Sequence, residues 1–177
     1  AKVINCSWGG DGFTQSLYDA IEFAKARGVL VVAAAGNDGI SNDATPFYPA
    51  SYENENLISV AATRDAKHRL AYFSNYGAKS VDLAAPGDYI MSTILPNFNS
   101  LEPKWYAALS GTSMAAPFVS GTIALMYAAD PTLSWMEVKE ALLRTVSPST
   151  HLKGKVASGG ALNTLEAVKA VSASQKE

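Results

Sequence analysis

Two short, mostly apolar runs near the N-terminus flank a segment with helical spacing. Val3 to Ser7 is typical of a buried strand, and Val29 to Ala35, which is apolar on both faces, is typical of a strand in a parallel sheet covered by helices. Between them, Thr14 to Arg27 has apolar positions at helical spacing, and Gly28 follows as a helix-ending glycine. Leu57 to Ala62 repeats the strand pattern. This strand–helix–strand order predicts an α/β fold with right-handed crossovers.

From Ser113 onward the pattern is helical. Pro117 to Ala129 is apolar on almost every face, which predicts a buried helix. Ser134 to Val146 is amphipathic and opens with a serine and a glutamate at the spacing of a capping box. The same spacing precedes a short helix that ends near Val171, and residues 172–177 are expected to be a frayed tail. The whole chain is predicted to be one domain or a large part of one.

The middle of the chain has no long periodic segment. Residues 38–56 form a polar stretch with two prolines, which predicts a loop. Between Thr63 and Ser110, turn residues separate the short apolar runs VDLAAPGD, YIMSTI and WYAAL. We predict surface hairpins and loops in this region.

Composition and charge argue against several classes of partner. The 177 residues are 48% hydrophobic and 17% charged with a net charge of −2, which disfavours a nucleic-acid or anionic-membrane surface as the main partner. No segment approaches the ~20 apolar residues that span a bilayer. The single cysteine, Cys6, excludes an intramolecular disulfide and is interpreted as a buried apolar residue. The pattern therefore indicates a globular domain without a membrane span.

The stretch LSGTSMAAPFVSG places Ser113 among small residues at the start of the long apolar helix. Unpaired N–H groups and the positive end of the helix dipole lie at such a position, where they can stabilise an oxyanion on an attacked carbonyl. Ser113 is therefore a candidate nucleophile. The alternative is that Ser113, or Thr112 beside it, only caps the helix.

Two other polar segments follow the predicted strands. Asn37 comes just after the second strand, where its amide can donate to an oxyanion; the alternative is an ordinary turn asparagine. SWGG, residues 7–10, ends the first strand, and its backbone can pair with an extended peptide; the alternative is a buried Trp8 before a tight turn. Because ligands bind beyond the carboxyl ends of parallel strands, these segments and Ser113 are expected to share one cleft.

Five segments, taken together and in order, resemble the C-terminal part of the catalytic domain of a subtilisin-like serine protease, a subtilase. SGTSMAAP is similar to the nucleophile motif of that family, and AAAGND to its oxyanion-asparagine segment. INCSWGG resembles its substrate-binding strand, FYPASYENENLISVAA its Tyr-Pro loop and following strand, and FSNYG with VDLAAPG its Phe-Ser to Ala-Pro-Gly segment. The resemblance implies a three-layer α/β/α fold with a mainly parallel sheet, of which this chain is the incomplete, C-terminal part.

The resemblance also implies roles for individual residues. Ser113 resembles the acyl-forming nucleophile, and its N–H together with the Asn37 side chain resembles the oxyanion hole. The substrate-binding strand is resembled by Ser7, Trp8 and Gly9. One wall of the specificity pocket is resembled by Ala34, Ala35 and Gly36, and a further pocket-lining position by Phe47. The reaction implied is hydrolysis of a polypeptide substrate through an acyl-enzyme, and its chemistry requires no cofactor.

Two positions depart from the family pattern. Phe118 stands where the family has a histidine after the motif proline, which we interpret as a packing variation. Phe47 stands where relatives often have a small residue in the specificity pocket. If the Phe47 ring points inward it narrows the pocket and favours small substrate side chains, and if it points outward it has no such effect.

No segment of the chain resembles the aspartate and histidine motifs that carry the family's acid and base. The two histidines, His68 and His151, lie in polar turns and are interpreted as solvated surface residues. We expect the acid and base on an upstream segment of the same precursor or on another chain, so that this chain alone is nearly inactive. An exposed sheet edge is expected to favour self-association. The resemblance further implies secretion and a structural calcium ion in the complete domain, and we predict no metal site within this chain.

Two alternatives differ in function. One is a catalytically inactive, peptide-binding or regulatory remnant of a subtilase. The other is an α/β-hydrolase-type esterase, because Ser113, Asp130 and His151 occur in the order of that fold's triad. The esterase is disfavoured because a helix of about 16 residues, roughly 24 Å long, would separate Asp130 from Ser113.

Overall fold

The structure, a computed structural model, describes residues 1–96 and 104–172. The strands are β1 (Val3–Cys6), β2 (Leu30–Ala34), β3 (Leu57–Thr63), β4 (Leu83–Pro86), β5 (Ile90–Thr93), β6 (Tyr106–Leu109), β7 (Ser147–Pro148) and β8 (Gly160–Ala161). The helices are α1 (Gln15–Lys25), α2 (Thr112–Ala129), α3 (Trp135–Arg144) and α4 (Thr164–Ser172). The expected frayed tail lies outside the described residues except for Ser172, which belongs to α4.

The main sheet has the strand order β1-β2-β3-β4-β8-β7. The first four strands run parallel, and β8 is parallel to β4. β7 pairs antiparallel with β8, and β5 forms a separate antiparallel hairpin with β6. The predicted α/β fold with a mainly parallel sheet is confirmed, and so is a surface hairpin in the middle region.

Alternate residues of β2 face different layers of helices. Leu30, Val32 and Ala34 pack in the core formed with α2. Val31 and Ala33 pack on the other side of the sheet, in the core formed with α1. All five are at most 2% exposed, which explains why this strand has no polar position. The sheet is therefore the middle of three layers.

β4 corrects the prediction that residues between Thr63 and Ser110 form only surface hairpins and loops. Leu83, Ala84 and Ala85 are fully buried, because the strand pairs with β3 on one side and with β8 on the other. The partner β8 comes late in the chain, and turn residues flank β4 closely. The sequence around β4 therefore has the pattern of a loop, although the strand lies in the interior of the sheet.

α2 is less buried than its composition predicts. One part of its surface packs on the parallel strands and another on α4, but Phe118 is 43% exposed and Leu125 is 53% exposed. By length and composition alone α2 is also long and apolar enough to cross a membrane, which corrects the statement that no segment approaches that size. Its contacts with four strands are those of the central helix of a folded core.

Short-range signals agree with the structure. The capping box is present: Glu137 N–H donates to Ser134 Oγ at 3.3 Å, and Ser134 N–H donates to Glu137 Oε2 at 2.8 Å. Cys6 is buried, and burial raises the pKa of its thiol. The interpretation of Cys6 as a buried apolar residue is therefore confirmed.

A positive charge on α3 lies against the backbone that leads into β3. Lys139 Nζ donates to Glu55 O at 2.9 Å and to Leu57 O at 2.6 Å. Asp82 lines the same cavity of about 570 Å³ and accepts a hydrogen bond of 2.7 Å from Ser59 N–H. Burial raises the pKa of the Asp82 carboxyl, and the nearby Lys139 ammonium opposes part of that rise. Lys139 therefore stabilises two carbonyl groups and favours the ionised form of the Asp82 carboxyl.

We expect Lys139→Met to lower the free energy of unfolding by about 1–3 kcal/mol, because two carbonyls lose their donor. A carboxyl with a raised pKa contributes most to stability when protonated, and its contribution falls as the pH rises through that pKa. Lys139 favours the ionised Asp82 and so offsets part of this fall in stability. The loss of unfolding free energy in Lys139→Met should therefore be larger at about pH 8 than at about pH 5. Urea unfolding at both pH values measures it, with the exposed Lys153→Met as control. An equal loss at both pH values contradicts the link to Asp82.

Candidate active site

Ser113 is the second residue of α2, and its side chain meets the end of β1. Ser113 Oγ donates to Ser7 O at 2.9 Å, and Ser7 Oγ donates back to Ser113 O at 2.8 Å. Gly111 is the N-cap of α2, so the hydroxyl does not cap the helix. Within residues 1–96 and 104–172, the Ser113 N–H has no hydrogen-bond partner. The hydroxyl and the N–H are both available to a ligand at this end of the sheet.

Thr112 holds the side chain of Asn37 in one orientation. Thr112 N–H and Thr112 Oγ1 both donate to Asn37 Oδ1, at 2.8 and 3.0 Å. Thr112 Oγ1 also accepts a bond of 3.1 Å from Gly36 N–H. Asn37 is therefore bonded to α2 and is not an ordinary turn asparagine. Because the amide is held through its oxygen, its N–H donors remain for a ligand beside Ser113.

A series of side-chain hydrogen bonds joins β1 to α2. Ser120 Oγ donates to Asn5 Oδ1 at 2.8 Å, and Asn5 Nδ2 donates to Ser7 Oγ at 2.7 Å. Ser7 then bonds to Ser113. The sequence pattern does not single out Thr112, Asn5 and Ser120 as site residues. The one sequence feature that could have indicated these three residues is that each is a polar residue inside an otherwise apolar strand or helix.

Phe47 lies between the ends of β1 and β2. A Cβ on Gly9 would lie 2.9 Å from Phe47 Cζ, and a Cβ on Gly36 would lie 3.2 Å from Phe47 Cδ1. Gly10 and Tyr48 exchange two backbone hydrogen bonds of 2.9 Å, which place the preceding Phe47 against Gly9. Of the two orientations left open by the sequence, the structure has the inward one.

The other predicted substrate-binding residues contribute mainly backbone. Ala34 and Ala35 are at most 2% exposed, and their side chains pack in cores on opposite faces of the sheet. Gly36 has φ +109°, and a Cβ there would collide with the Asn75 side chain. Trp8 is 54% exposed, so the alternative of a buried tryptophan is wrong. The wall formed by residues 34–36 is therefore a strip of main chain.

Neither histidine hydrogen-bonds to Ser113 in the described part of the chain. His151 is exposed and His68 is partly exposed in a turn at φ +55°, so both lie at the surface as interpreted. Asp130 follows the last residue of the 18-residue α2, about 27 Å from the end that carries Ser113. The structure thus does not assemble the three residues of an α/β-hydrolase triad.

Ser113 also lines an open, mostly apolar cleft of about 320 Å³. Its other lining residues are Ile90, Met91, Ser92, Met114, Pro117 and Phe118. Phe118, the departure from the family motif, is therefore a wall of this cleft and not part of the sheet core. A group that enters the cleft has direct access to the Ser113 side chain.

The arrangement suits attack on a carbonyl. Ser113 Oγ is the nucleophile candidate, and negative charge develops on the carbonyl oxygen when it attacks. Ser113 N–H and the Asn37 amide are the candidate donors to that charge, and a main-chain strip that an extended peptide can pair with lies beside them. A base within reach of Ser113 Oγ is the component that the described residues lack.

Comparisons with known proteins identify the family of the chain. The family model described as "Subtilase family" matches residues 1–168. The "Thermophilic serine proteinase" of Bacillus sp. (strain AK1) is 47% identical over 145 residues, which cover 82% of this chain and 32% of that protein. The "Major intracellular serine protease" of Bacillus subtilis (strain 168) is 42% identical over 153 residues, covering 82% of this chain and 44% of that protein.

Solved structures show the same similarity in three dimensions. "Proteases from Pseudoalteromonas arctica PAMC 21717" matches with a TM-score of 0.80 and 33% identity, covering 97% of this chain and 51% of that one. This chain therefore spans about half or less of the length of these proteins. Extracellular as well as intracellular proteases are among the relatives, which fits secreted members of the family without fixing the compartment of this chain.

Proposed function

Because the chain belongs to the subtilase family, we propose that it supplies the nucleophile and oxyanion hole of a serine endopeptidase. The observation that best supports this is the meeting of three distant segments at one point. Ser113 contacts Ser7 across 106 residues, and Asn37 contacts Thr112 across 75 residues. A fold that brings a serine hydroxyl, an amide donor and a main-chain strip together is suited to cleaving peptide bonds.

In the proposed reaction, Ser113 Oγ attacks the substrate carbonyl carbon, and the bond to the leaving amine breaks. The hydroxyl proton passes to a base and then to that amine, which leaves an acyl-enzyme. Ser113 N–H and Asn37 Nδ2 stabilise the negative charge on the carbonyl oxygen. Water then attacks the acyl-enzyme with the same base and releases the acid. These steps use protein groups only and require no cofactor.

The base is proposed to lie on a segment upstream of Ala1, in the same precursor or on another chain. A base must come within about 2.6–3.2 Å of Ser113 Oγ to accept its proton. The apolar cleft beside Ser113 lies next to that atom, and the upstream segment is proposed to bind there. The exposed ring of Phe118 would then become an interface residue. The 177-residue chain alone is accordingly proposed to be nearly inactive.

The free edge of β1 is a second surface for that segment. Within the described residues β1 pairs with β2 alone, and its Ile4 is exposed. An uncovered edge beside apolar side chains favours association with further chains. We therefore propose that the chain self-associates when no upstream segment covers this edge. A strictly monomeric species in sedimentation velocity contradicts this part of the proposal.

The substrate is proposed to be an extended polypeptide that pairs with the main chain of residues 7–9, beside the exposed Trp8. Secretion and a structural calcium ion in the complete domain remain predictions that follow from the family resemblance. Neither is needed for the chemistry proposed at Ser113.

A hybrid protease tests the proposal. In the hybrid, the part of the Bacillus sp. (strain AK1) relative that precedes its match is joined to Ala1 of this chain. A fluorophosphonate, which reacts with an activated serine, is expected to label the hybrid at Ser113 and to leave the 177-residue chain alone unlabelled. Peptide mapping by mass spectrometry locates the label, and the hybrid carrying Ser113→Ala is the control.

A second candidate function is a catalytically inactive, peptide-binding remnant. The resting contact of Ser113 Oγ with a backbone carbonyl, and not with a base, favours it. A hybrid that unfolds cooperatively on heating but stays unlabelled contradicts the peptidase proposal and supports this alternative. Labelling at Ser113 contradicts the alternative.

A further inference from the structure

On the premise of the proposed peptidase function, we infer that Phe47 closes the pocket for the substrate side chain that precedes the scissile bond. The enzyme then cleaves after small residues and excludes large ones. The starting point is the place of the attacked carbonyl, which must lie within reach of Ser113 Oγ and of the Asn37 amide.

Two strips of main chain flank that place. On one side, Ser113 Oγ lies 2.9 Å from Ser7 O, at the start of the strip formed by residues 7–9. On the other side, Thr112 bonds to Gly36 and Asn37, which end the strip formed by residues 34–36. A side chain attached next to the attacked carbonyl therefore enters the gap between the two strips.

The Phe47 ring spans this gap from one strip to the other. A Cβ on Gly9 would lie 2.9 Å from Phe47 Cζ, and a Cβ on Gly36 would lie 3.2 Å from Phe47 Cδ1. Both distances are too short for an ordinary side chain, so the ring fits because glycine stands on each wall. The ring thus occupies space that a large substrate side chain would need.

The backbone around Phe47 is fixed from several directions. Phe47 N–H donates to Ser51 Oγ at 3.0 Å, and Ser51 N–H donates to Phe47 O at 2.8 Å. Tyr48 is held by two backbone bonds to Gly10, and its ring packs 5.7 Å from the Phe13 ring, centroid to centroid. The backbone that carries the ring is therefore held in place, so the ring can leave the gap only by rotating about its own side-chain torsions.

A large substrate residue must either displace the Phe47 ring or bind outside the gap. In both cases it loses the apolar burial that a phenylalanine side chain would gain in an open pocket. That burial corresponds to about 10- to 100-fold in kcat/KM. An alanine or glycine side chain needs little of the gap and loses correspondingly little.

The test uses the hybrid protease and two tetrapeptide p-nitroanilides that differ only in the residue before the scissile bond, alanine or phenylalanine. The unmodified hybrid is expected to prefer alanine by about 10- to 100-fold in kcat/KM. Phe47→Ala is expected to raise kcat/KM for the phenylalanine substrate by about the same factor, while the value for the alanine substrate changes less than about threefold.

Phe23→Ala is the matched control, because it removes an exposed aromatic ring from α1, outside the gap. It is expected to leave the preference for alanine unchanged. The rate of fluorophosphonate labelling in Phe47→Ala shows separately that the catalytic groups remain in place.

Cleavage after phenylalanine as fast as after alanine in the unmodified hybrid overturns the inference, and so does a preference that Phe47→Ala leaves unchanged. In either case labelling at Ser113 leaves the proposed peptidase function standing. Dissociation constants of the two peptides with the hybrid carrying Ser113→Ala give the same comparison without turnover. The closed pocket is therefore tested even in a hybrid that is not labelled.

Discussion

Replacing Ser113 with alanine is expected to lower kcat/KM of the hybrid protease by about 10⁶-fold, the size of the loss found when the nucleophile of a subtilisin is removed. The substitution removes the atom that forms the acyl bond, and the described residues offer no substitute for it. The neighbouring hydroxyl, Thr112 Oγ1, bonds to Asn37 Oδ1 at 3.0 Å and to the backbone of Gly36. Hydrolysis of a chromogenic peptide at saturating and low concentrations measures the loss.

Ser172→Ala is the control for removing a hydroxyl from a helix. Its Oγ donates to Val168 O within α4, so its loss should leave kcat/KM unchanged within about twofold. Ser113→Ala should also unfold near the temperature of the unmodified hybrid, because one hydrogen bond contributes only about 1 kcal/mol. Retention of more than about a thousandth of the activity would mean that another group attacks the carbonyl.

Asn37→Ala is expected to lower kcat by about 10²–10³-fold, the size found for the oxyanion asparagine of a subtilisin. KM should change little, because the amide donates most strongly to the charge that develops in the transition state. Steady-state kinetics of the hybrid separate the two constants. A rise in KM at constant kcat would place Asn37 in substrate binding instead.

Asn37→Asp distinguishes the chemical role of this residue from its structural role. A carboxylate can still accept the two hydrogen bonds from Thr112, of 2.8 and 3.0 Å, but it has no N–H to donate. We expect a loss of kcat at least as large as for alanine, with a smaller effect on thermal unfolding. A variant that keeps its kcat despite the lost donor contradicts the oxyanion role.

Local patterns were sufficient for elements whose environment is uniform along the chain. β2 and β3 are buried on both faces, so an unbroken apolar run identifies them. The start of α3 is visible in sequence because its capping box lies within four residues. β4 was not predictable in this way, since its central position depends on β8, a strand that forms far along the chain.

The same distinction applies to the candidate site. Ser113 and Asn37 were predictable, because each follows a recognisable element and belongs to a quoted motif. The role of Thr112 was not, because its bonds to Asn37 exist only after α2 packs on β2. The direction of the Phe47 ring was likewise hidden, since it depends on the pairing of Tyr48 with Gly10. Composition alone does not indicate either contact.

The hydrogen bonds between Ser113 and Ser7 attach the candidate nucleophile to the end of β1, the edge strand of the sheet. β1 is held by β2 and by a few side-chain bonds to α2, whereas β2 and β3 are enclosed on both sides. Edge strands unfold locally at a lower free-energy cost than the interior strands of a sheet. Such opening would take away the partner of the Ser113 hydroxyl while the interior strands stay folded. In the 177-residue chain alone, where no upstream segment covers β1, heat would then disorder the site around Ser113 at a lower temperature than it melts the core, and amide exchange in β1 would report the first step.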